Sequence, residues 1–245
     1  MNIHQQRAER VNLQKLTEGT TSGEPLSHAE QVAIQGLWRT AEHHPANSKI
    51  EAGKGIRLIT SGWAGWIRYA ANGRRLIFLF LIPGDYIIPG LLDVPGCFLI
   101  SLTPMRTVDA SALAQIGSTT TPKSSTMIHR SGIRYRHLLL DHLTRLTLGS
   151  TTSSLALLLL EFQDRSLRAG AWESGRFSLP IGQRILAAAL GRSTVQVNKV
   201  ISKFQADGLI RVGYDWLEVV DSERLQLLTG MNAPSPACSI LVEAI

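Results

Sequence analysis

Leu179-Pro180-Ile181-Gly182-Gln183-Arg184-Ile185-Leu186-Ala187-Ala188-Ala189-Leu190-Gly191-Arg192-Ser193-Thr194-Val195-Gln196-Val197-Asn198-Lys199-Val200-Ile201-Ser202-Lys203-Phe204 decides how the rest of the chain is read. Two short amphipathic patterns meet at a glycine. The first puts Leu186, Ala187 and Leu190 on one face. The second puts Val197, Val200, Ile201 and Phe204 on one face, at spacings of three and four. Ala187 is small enough for a second helix to approach closely. Gly191 can take the positive φ that ends a helix, and Ser193 is a good N-cap for the next. The pattern is a helix-turn-helix, whose second helix can enter a major groove.

If the apolar set points inward, Thr194, Val195, Asn198, Lys199 and Ser202 point outward, and none is acidic. From Arg176 to Val212 the cations are Arg176, Arg184, Arg192, Lys199, Lys203 and Arg211, against Asp207 alone. Such a balance attracts phosphate. After Phe204, Gly208 stops the helix. Leu209 to Val212 and Trp216 to Val220 then read as two strands around Gly213-Tyr214-Asp215. A hairpin in that place is a wing, with Arg211 and Tyr214 near its tip and set to run along phosphates.

These residues resemble the C-terminal domain of the Crp–Fnr family of bacterial transcription regulators. Leu179-Pro180, Ala187 to Gly191, Val197-Asn198-Lys199 and Gly208-Leu209-Ile210 carry the likeness. Upstream, Ser61-Gly62-Trp63, Asn72-Gly73-Arg74-Arg75, Ile82-Pro83-Gly84-Asp85 and Leu102-Thr103-Pro104 extend it. The resemblance implies a homodimeric, sequence-specific regulator with double-stranded DNA and RNA polymerase as partners. It sets Thr194, Val195, Asn198 and Lys199 against base edges. It sets Gln183, Arg184, Ser193, Gln196 and Lys203 mainly against phosphates. Val195 stands where several members have a glutamate, so their half-site preference does not carry over. Lys199 replaces a common arginine; it can still donate to guanine, without the planar fork.

The chain has 245 residues, enough for two modest domains. Hydrophobic content of 44% and charged content of 18% mark a globular chain, and a net charge of +6 favours an anionic partner. Cys97 and Cys238 form no CxxC site, which fits a reducing cytoplasm. Met1 to Leu16 has no apolar signal-peptide core, and the longest apolar run, Leu155 to Leu160, is far short of a membrane span.

In order, residues 1–25 read as a disordered arm and 26–126 as a β-roll. Residues 127–148 read as a dimerisation helix, 149–230 as a winged helix-turn-helix domain and 231–245 as a tail. The fold class expected is α+β, with an antiparallel jelly-roll-like N-terminal domain. Ser27 and Glu30 have capping-box spacing for a helix that ends before Pro45, with His43-His44 at its end. Short strand-like runs from Ile56 onward build the roll, with a two-residue turn at Asn72-Gly73 and another turn at Pro83-Gly84-Asp85. Gly117 to Ser125 reads as a loop. Tyr135, Leu139, His142 and Leu146, at spacings of four, three and four, read as a coiled-coil seam, with Leu138 and Leu143 turned toward the roll. Gly149 to Thr152 reads as a hinge, and Leu155 to Phe162 as the first helix of the C-terminal domain.

No cofactor, metal or catalytic residue is expected. The roll lacks a His-x-His pair, and no G-x-S-x-G or P-loop occurs. His137 and His142, five apart, are poorly spaced to chelate. Family members that bind cyclic nucleotides carry a Gly-Glu pair and a later Arg-Ser pair. Here Leu91 stands in place of that glutamate, and no arginine occurs between Arg75 and Arg106. Met1 to Ile50 holds no cysteine for an iron–sulfur cluster. The alternative reading is a ligand-sensing roll that acts through protein partners, with a degenerate DNA-binding domain.

Overall fold

The computed structural model describes residues 32, 36–51, 53, 55–91, 94–111, 123–170, 172–173 and 175–231. The expected arm, the capping box at Ser27 and the tail beyond Met231 lie outside the described residues.

Seven strands form two antiparallel sheets. They are β1 (Glu42–His44), β2 (Arg57–Ser61), β3 (Ala64–Tyr69), β4 (Arg75–Leu81), β5 (Tyr86–Ile87), β6 (Phe98–Ser101) and β7 (Met105–Asp109). One sheet has the order β1-β7-β2-β5 and the other β4-β3-β6. The fold is α+β, as expected. Strand β1 corrects the reading of His43-His44 as a helix end. The helical turn stops at Thr40, and Glu42 to His44 pair with Thr107, Arg106 and Met105. His44 Nε2 lies 3.0 Å from Thr107 Oγ1.

The turns follow from local chemistry. Between β3 and β4 the loop is longer than the expected two-residue turn. The Gly73 amide donates to the Ala70 carbonyl and the Ala70 amide to the Arg74 carbonyl. Gly73 takes φ 75°, the left-handed residue such a loop needs. After β4, the Asp85 amide donates to the Ile82 carbonyl, closing a turn with Pro83 and Gly84 at its centre.

Strand β3 is buried on both sides. Ala64 and Trp66 face the roll interior with Ile59, Leu79, Leu81, Leu99 and Met105. Trp63 and Ile67 face outward, yet lie in a second apolar cluster with Ile77 and Phe80. A register shift between Trp66 and Ile67 turns Phe78 and Leu79 both toward the interior cluster.

Helices cover the outward side. The long helix α1 (Lys123–Thr147) is followed by α2 (Thr151–Arg168), capped by Ser150, whose hydroxyl accepts from the Thr152 and Ser153 amides. Helix α1 begins inside the stretch expected as a loop, at Lys123-Ser124-Ser125. Phe162 of α2 meets Trp63 edge-on at 4.8 Å and Phe80 at 5.3 Å. Each edge contact adds about 0.5–1.5 kcal/mol beyond area burial. Leu155, Leu158 and Leu159 join them, so the roll and the C-terminal helices share one core.

A buried ionic chain crosses the same junction. Arg145 of α1 donates to Glu161 of α2, and Arg165 Nη1 donates to Glu161 Oε1 at 2.6 Å. Arg165 also donates to Asp85 and, at 2.8 Å, to the Phe80 carbonyl. Burial alone would push the Glu161 carboxyl up, but Arg145 and Arg165 beside it hold it below the usual range. Buried charges such as these are tolerable only when paired in this way.

The chain then forms β8 (Trp172–Glu173), β9 (Arg176–Ser178), α3 (Gln183–Leu190), α4 (Thr194–Ala206), β10 (Ile210–Val212), β11 (Trp216–Val219) and α5 (Ser222–Thr229). The sheet order β10-β11-β9-β8 includes two strands that the sequence reading missed. Their signal was slight: Phe177 alone is buried in β9, between Arg176 and Ser178.

Candidate nucleic-acid interface

Helices α3 and α4 build the interface from the inside outward. Gly191 ends α3 at φ 62° and its amide donates to the Ala187 carbonyl. Ser193 starts α4 with a capping box: its hydroxyl accepts from the Gln196 amide at 3.2 Å, and Gln196 Oε1 accepts from the Ser193 amide at 3.0 Å. Val197, Val200, Ile201 and Phe204 are buried, so the opposite face is free.

Thr194, Val195, Asn198 and Lys199 all lie exposed on that face, together with Ser202 and Lys203. Val195 is 78% exposed, a high value for an apolar side chain anchored by a packed helix. Helix α4 carries no carboxylate. Arg184 is exposed and Gln183 half-buried at the first turn of α3. Ser193 and Gln196, expected at phosphates, are engaged with each other through the cap.

The wing is a tight hairpin. The Gly213 amide donates to the Trp216 carbonyl at 3.0 Å. A Cβ at Gly213 would stand 2.1 Å from Trp216 Nε1, so only glycine lets the indole lie there. Tyr214 is 98% exposed at the tip. Arg211, expected at phosphates, pairs with Glu218 directly across the hairpin at 3.1 Å, and Arg176 approaches the same carboxylate at 3.5 Å. Arg176 also stacks on Trp216, its guanidinium carbon 4.0 Å from the ring centre. The sequence reading missed this ladder; the opposition of Arg211 and Glu218 in the hairpin register was its available signal.

The four residues expected as a seam on α1 do not share one exposed face. Tyr135 and His142 are buried, and the Tyr135 hydroxyl donates to the Tyr86 carbonyl of β5. Leu139 is half-buried against the roll interior, and Leu146 is exposed. Leu138 packs on the roll as expected. Leu143 does not: it is 57% exposed, as is Leu140. The exposed positions Arg136, Leu140, Leu143 and Thr147 keep the four-three-four spacing, moved one residue along the chain. One residue is about 100° around a helix. The reason is that α1 needs its polar-and-aromatic face, with Tyr135 and Arg145, to engage the roll and α2.

Among the described residues, no group of three or more His, Cys, Asp or Glu is placed to hold a metal ion. His142 is kept neutral: burial, and then the charge of Arg145, push its imidazole down to about 4, against the opposing pull of Glu161. No helix among them is long and apolar enough to cross a membrane.

Two antiparallel sheets, a long helix and a winged helix-turn-helix thus follow one another along the chain. Residues 153–228 match the family model of the Crp-like helix-turn-helix domain. No curated protein matches the chain in sequence. Several solved structures share its fold. FixK2 from Bradyrhizobium japonicum is 20% identical, with 79% of this chain and 98% of that chain covered, at a TM-score of 0.64. A CRP/FNR-family transcriptional regulator from Thermus thermophilus is 19% identical, covering 79% and 100%, at 0.55. A CooA mutant from Carboxydothermus hydrogenoformans is 16% identical, covering 79% and 90%, at 0.57. The chain thus joins a Crp-like helix-turn-helix domain to the fold of Crp–Fnr regulators, as the resemblance in sequence implied.

Proposed function

We propose that this chain is a homodimeric transcription regulator that reads a two-fold symmetric DNA site. The observation that carries the reading is the outer face of α4: exposed, free of carboxylates, and held rigid by four buried anchors. Thr194, Val195, Asn198 and Lys199 read bases. Val195 makes apolar contact, for instance with a thymine methyl, and Lys199 donates to guanine. Gln183, Arg184, Lys203 and the wing-tip Tyr214 meet the phosphate backbone. Ser193, Gln196 and Arg211 contribute through the cap and the wing ladder as much as through phosphate.

The dimer forms along α1 through Leu140 and Leu143, with Leu146 at the edge. Exposed leucines at heptad spacing support this, because a lone helix gains nothing from presenting them to water. Two recognition helices about 34 Å apart then enter successive major grooves. RNA polymerase as a further partner is carried by the resemblance alone.

The roll works without a cyclic nucleotide. Leu91 offers no acceptor for a ribose hydroxyl and packs against the interior cluster. The interior is occupied by Trp66, Leu79, Leu81 and Leu99, closed by Tyr135 and Leu138 of α1.

In vitro selection from a random duplex pool, with effector-free protein, tests the proposal. Enrichment of a two-fold symmetric motif is expected. A folded dimer that enriches nothing would redirect the function toward protein partners.

A further inference from the structure

Arg192 sits in the turn between α3 and α4, where a cation would be counted among those facing phosphate. Its side chain goes elsewhere. Arg192 Nη2 donates to the Leu148 carbonyl at 2.7 Å. The Leu148 amide still donates to the Thr144 carbonyl at 3.0 Å, so this acceptor lies at the C-terminal end of α1. Partial negative charge collects there, and a guanidinium is the group best suited to cap it. Arg192 is half-buried, unlike its exposed neighbours Ser193 and Thr194.

The surroundings reinforce the link. A Cβ on Gly191 would stand 3.5 Å from Leu146 Cδ2, so the turn rests against the last leucine of α1. Ser154 of α2 donates to the Arg145 carbonyl at 2.8 Å, bracing the same break from the other side. Between the braces, Gly149 has no atom within 4 Å of where a Cβ would be. The joint is therefore open at its centre and tied at its edges.

We infer that Arg192 is a positioning residue, which fixes the helix-turn-helix against the end of the long helix and so sets the half-site spacing the dimer accepts. The inference rests on the proposed dimer and DNA site. In such a dimer the two-fold axis runs beside α1. The angle at Leu148 to Ser150 then decides how far each recognition helix stands from that axis. Losing the Arg192 bond frees this angle while leaving α4, its cap and its base-reading face unchanged.

The test compares wild-type protein with Arg192→Ala and Arg192→Met, the second keeping the apolar stem. Each binds the selected symmetric duplex and versions with the spacer changed by one or two base pairs. Wild type is expected to lose about tenfold or more per added or removed base pair. Both variants are expected to discriminate less than about threefold, with the same base preference within each half-site and the same salt dependence. Equal weakening on every duplex, with the salt slope reduced by about one, would make Arg192 a phosphate contact and overturn the inference. Unchanged spacer discrimination would overturn it too. Hydrogen exchange provides a readout that needs no DNA: the variants should accelerate exchange at 148–152 and at Gly191 but not within α4. Unaltered exchange there would defeat the inference independently. A wild-type chain that enriches no duplex would instead defeat the proposed function.

Discussion

Helix α4, whose exposed face is proposed to read bases, and the long helix α1 bury their faces in different ways. Helix α4 hides Val197, Val200, Ile201 and Phe204 and shows water a polar, basic face. Helix α1 hides Asp141, His142 and Arg145 beside Tyr135 and Leu138, and shows water Leu140, Leu143 and Leu146. The exposed face of α4 suits a polyanion. That of α1 suits a second copy of itself, since two apolar stripes remove each other from water at about 25 cal/mol per Å². In the proposed function, each helix faces the partner whose chemistry complements what it leaves uncovered.

The sharpest break in this comparison is on α1. Leu140→Glu with Leu143→Glu should give monomers by sedimentation, and binding to a two-half-site duplex should fall by about a hundredfold or more, because the second half-site no longer adds its share. A variant that sediments as the wild type does would remove the seam from α1. Its far-ultraviolet circular dichroism should stay the same, since both side chains already face water.

The same two helices explain what the sequence could and could not reveal. In α4 every packing partner lies on one side, so spacings of three and four identify the inner face directly, and the outer face follows. Helix α1 has partners on two sides, the roll with α2 and the proposed twin. Leu138, Leu139 and Leu140 stand in a row, so apolar spacing fits more than one seam. What chose between them was tertiary and polar: the Tyr135 hydroxyl finds the Tyr86 carbonyl, and Arg145 finds Glu161. Neither pairing leaves a trace in local periodicity. The short strands β1 and β9 escaped for a related reason. Strands this short cannot establish an alternation, and each is held by its neighbour's register. Gly191, Gly73 and the N-cap at Ser193 were legible because backbone chemistry alone demands them.

The buried ionic chain gives the next largest effect. Arg165→Met removes the cation shared by Glu161 and Asp85 and leaves both carboxylates short of a partner. Urea unfolding should show a loss of about 3–5 kcal/mol. A loss below about 1 kcal/mol would mean that the chain does not join the roll to α2. A surface pair such as Arg224 with Asp221 should cost no more than about 1 kcal/mol.

His142 carries a pH signature peculiar to the buried face of α1. Its folded imidazole takes a proton near pH 4, whereas an unfolded one does so near 6.5. Between these values the unfolded chain holds more protons, so stability falls as pH drops from 6.5 toward 4, by up to about 3 kcal/mol. The His44 imidazole, also pushed down by burial and then by the charge of Arg57, adds to that slope with the same sign. His142→Gln should reduce the slope, leaving the share of His44, in urea midpoints measured from about pH 7 to pH 5. An unchanged slope would mean that the imidazole titrates in the open.

The most direct test of the account is Lys199→Ala on the selected duplex and on a complete set of its single-base variants. The account predicts a loss of about 1–3 kcal/mol on the preferred sequence and relaxed preference at one base pair per half-site, with the others unaffected. An equal loss on all sequences would contradict it. Lys199 would then be a phosphate contact, and the exposed face of α4 would not be where the bases are read.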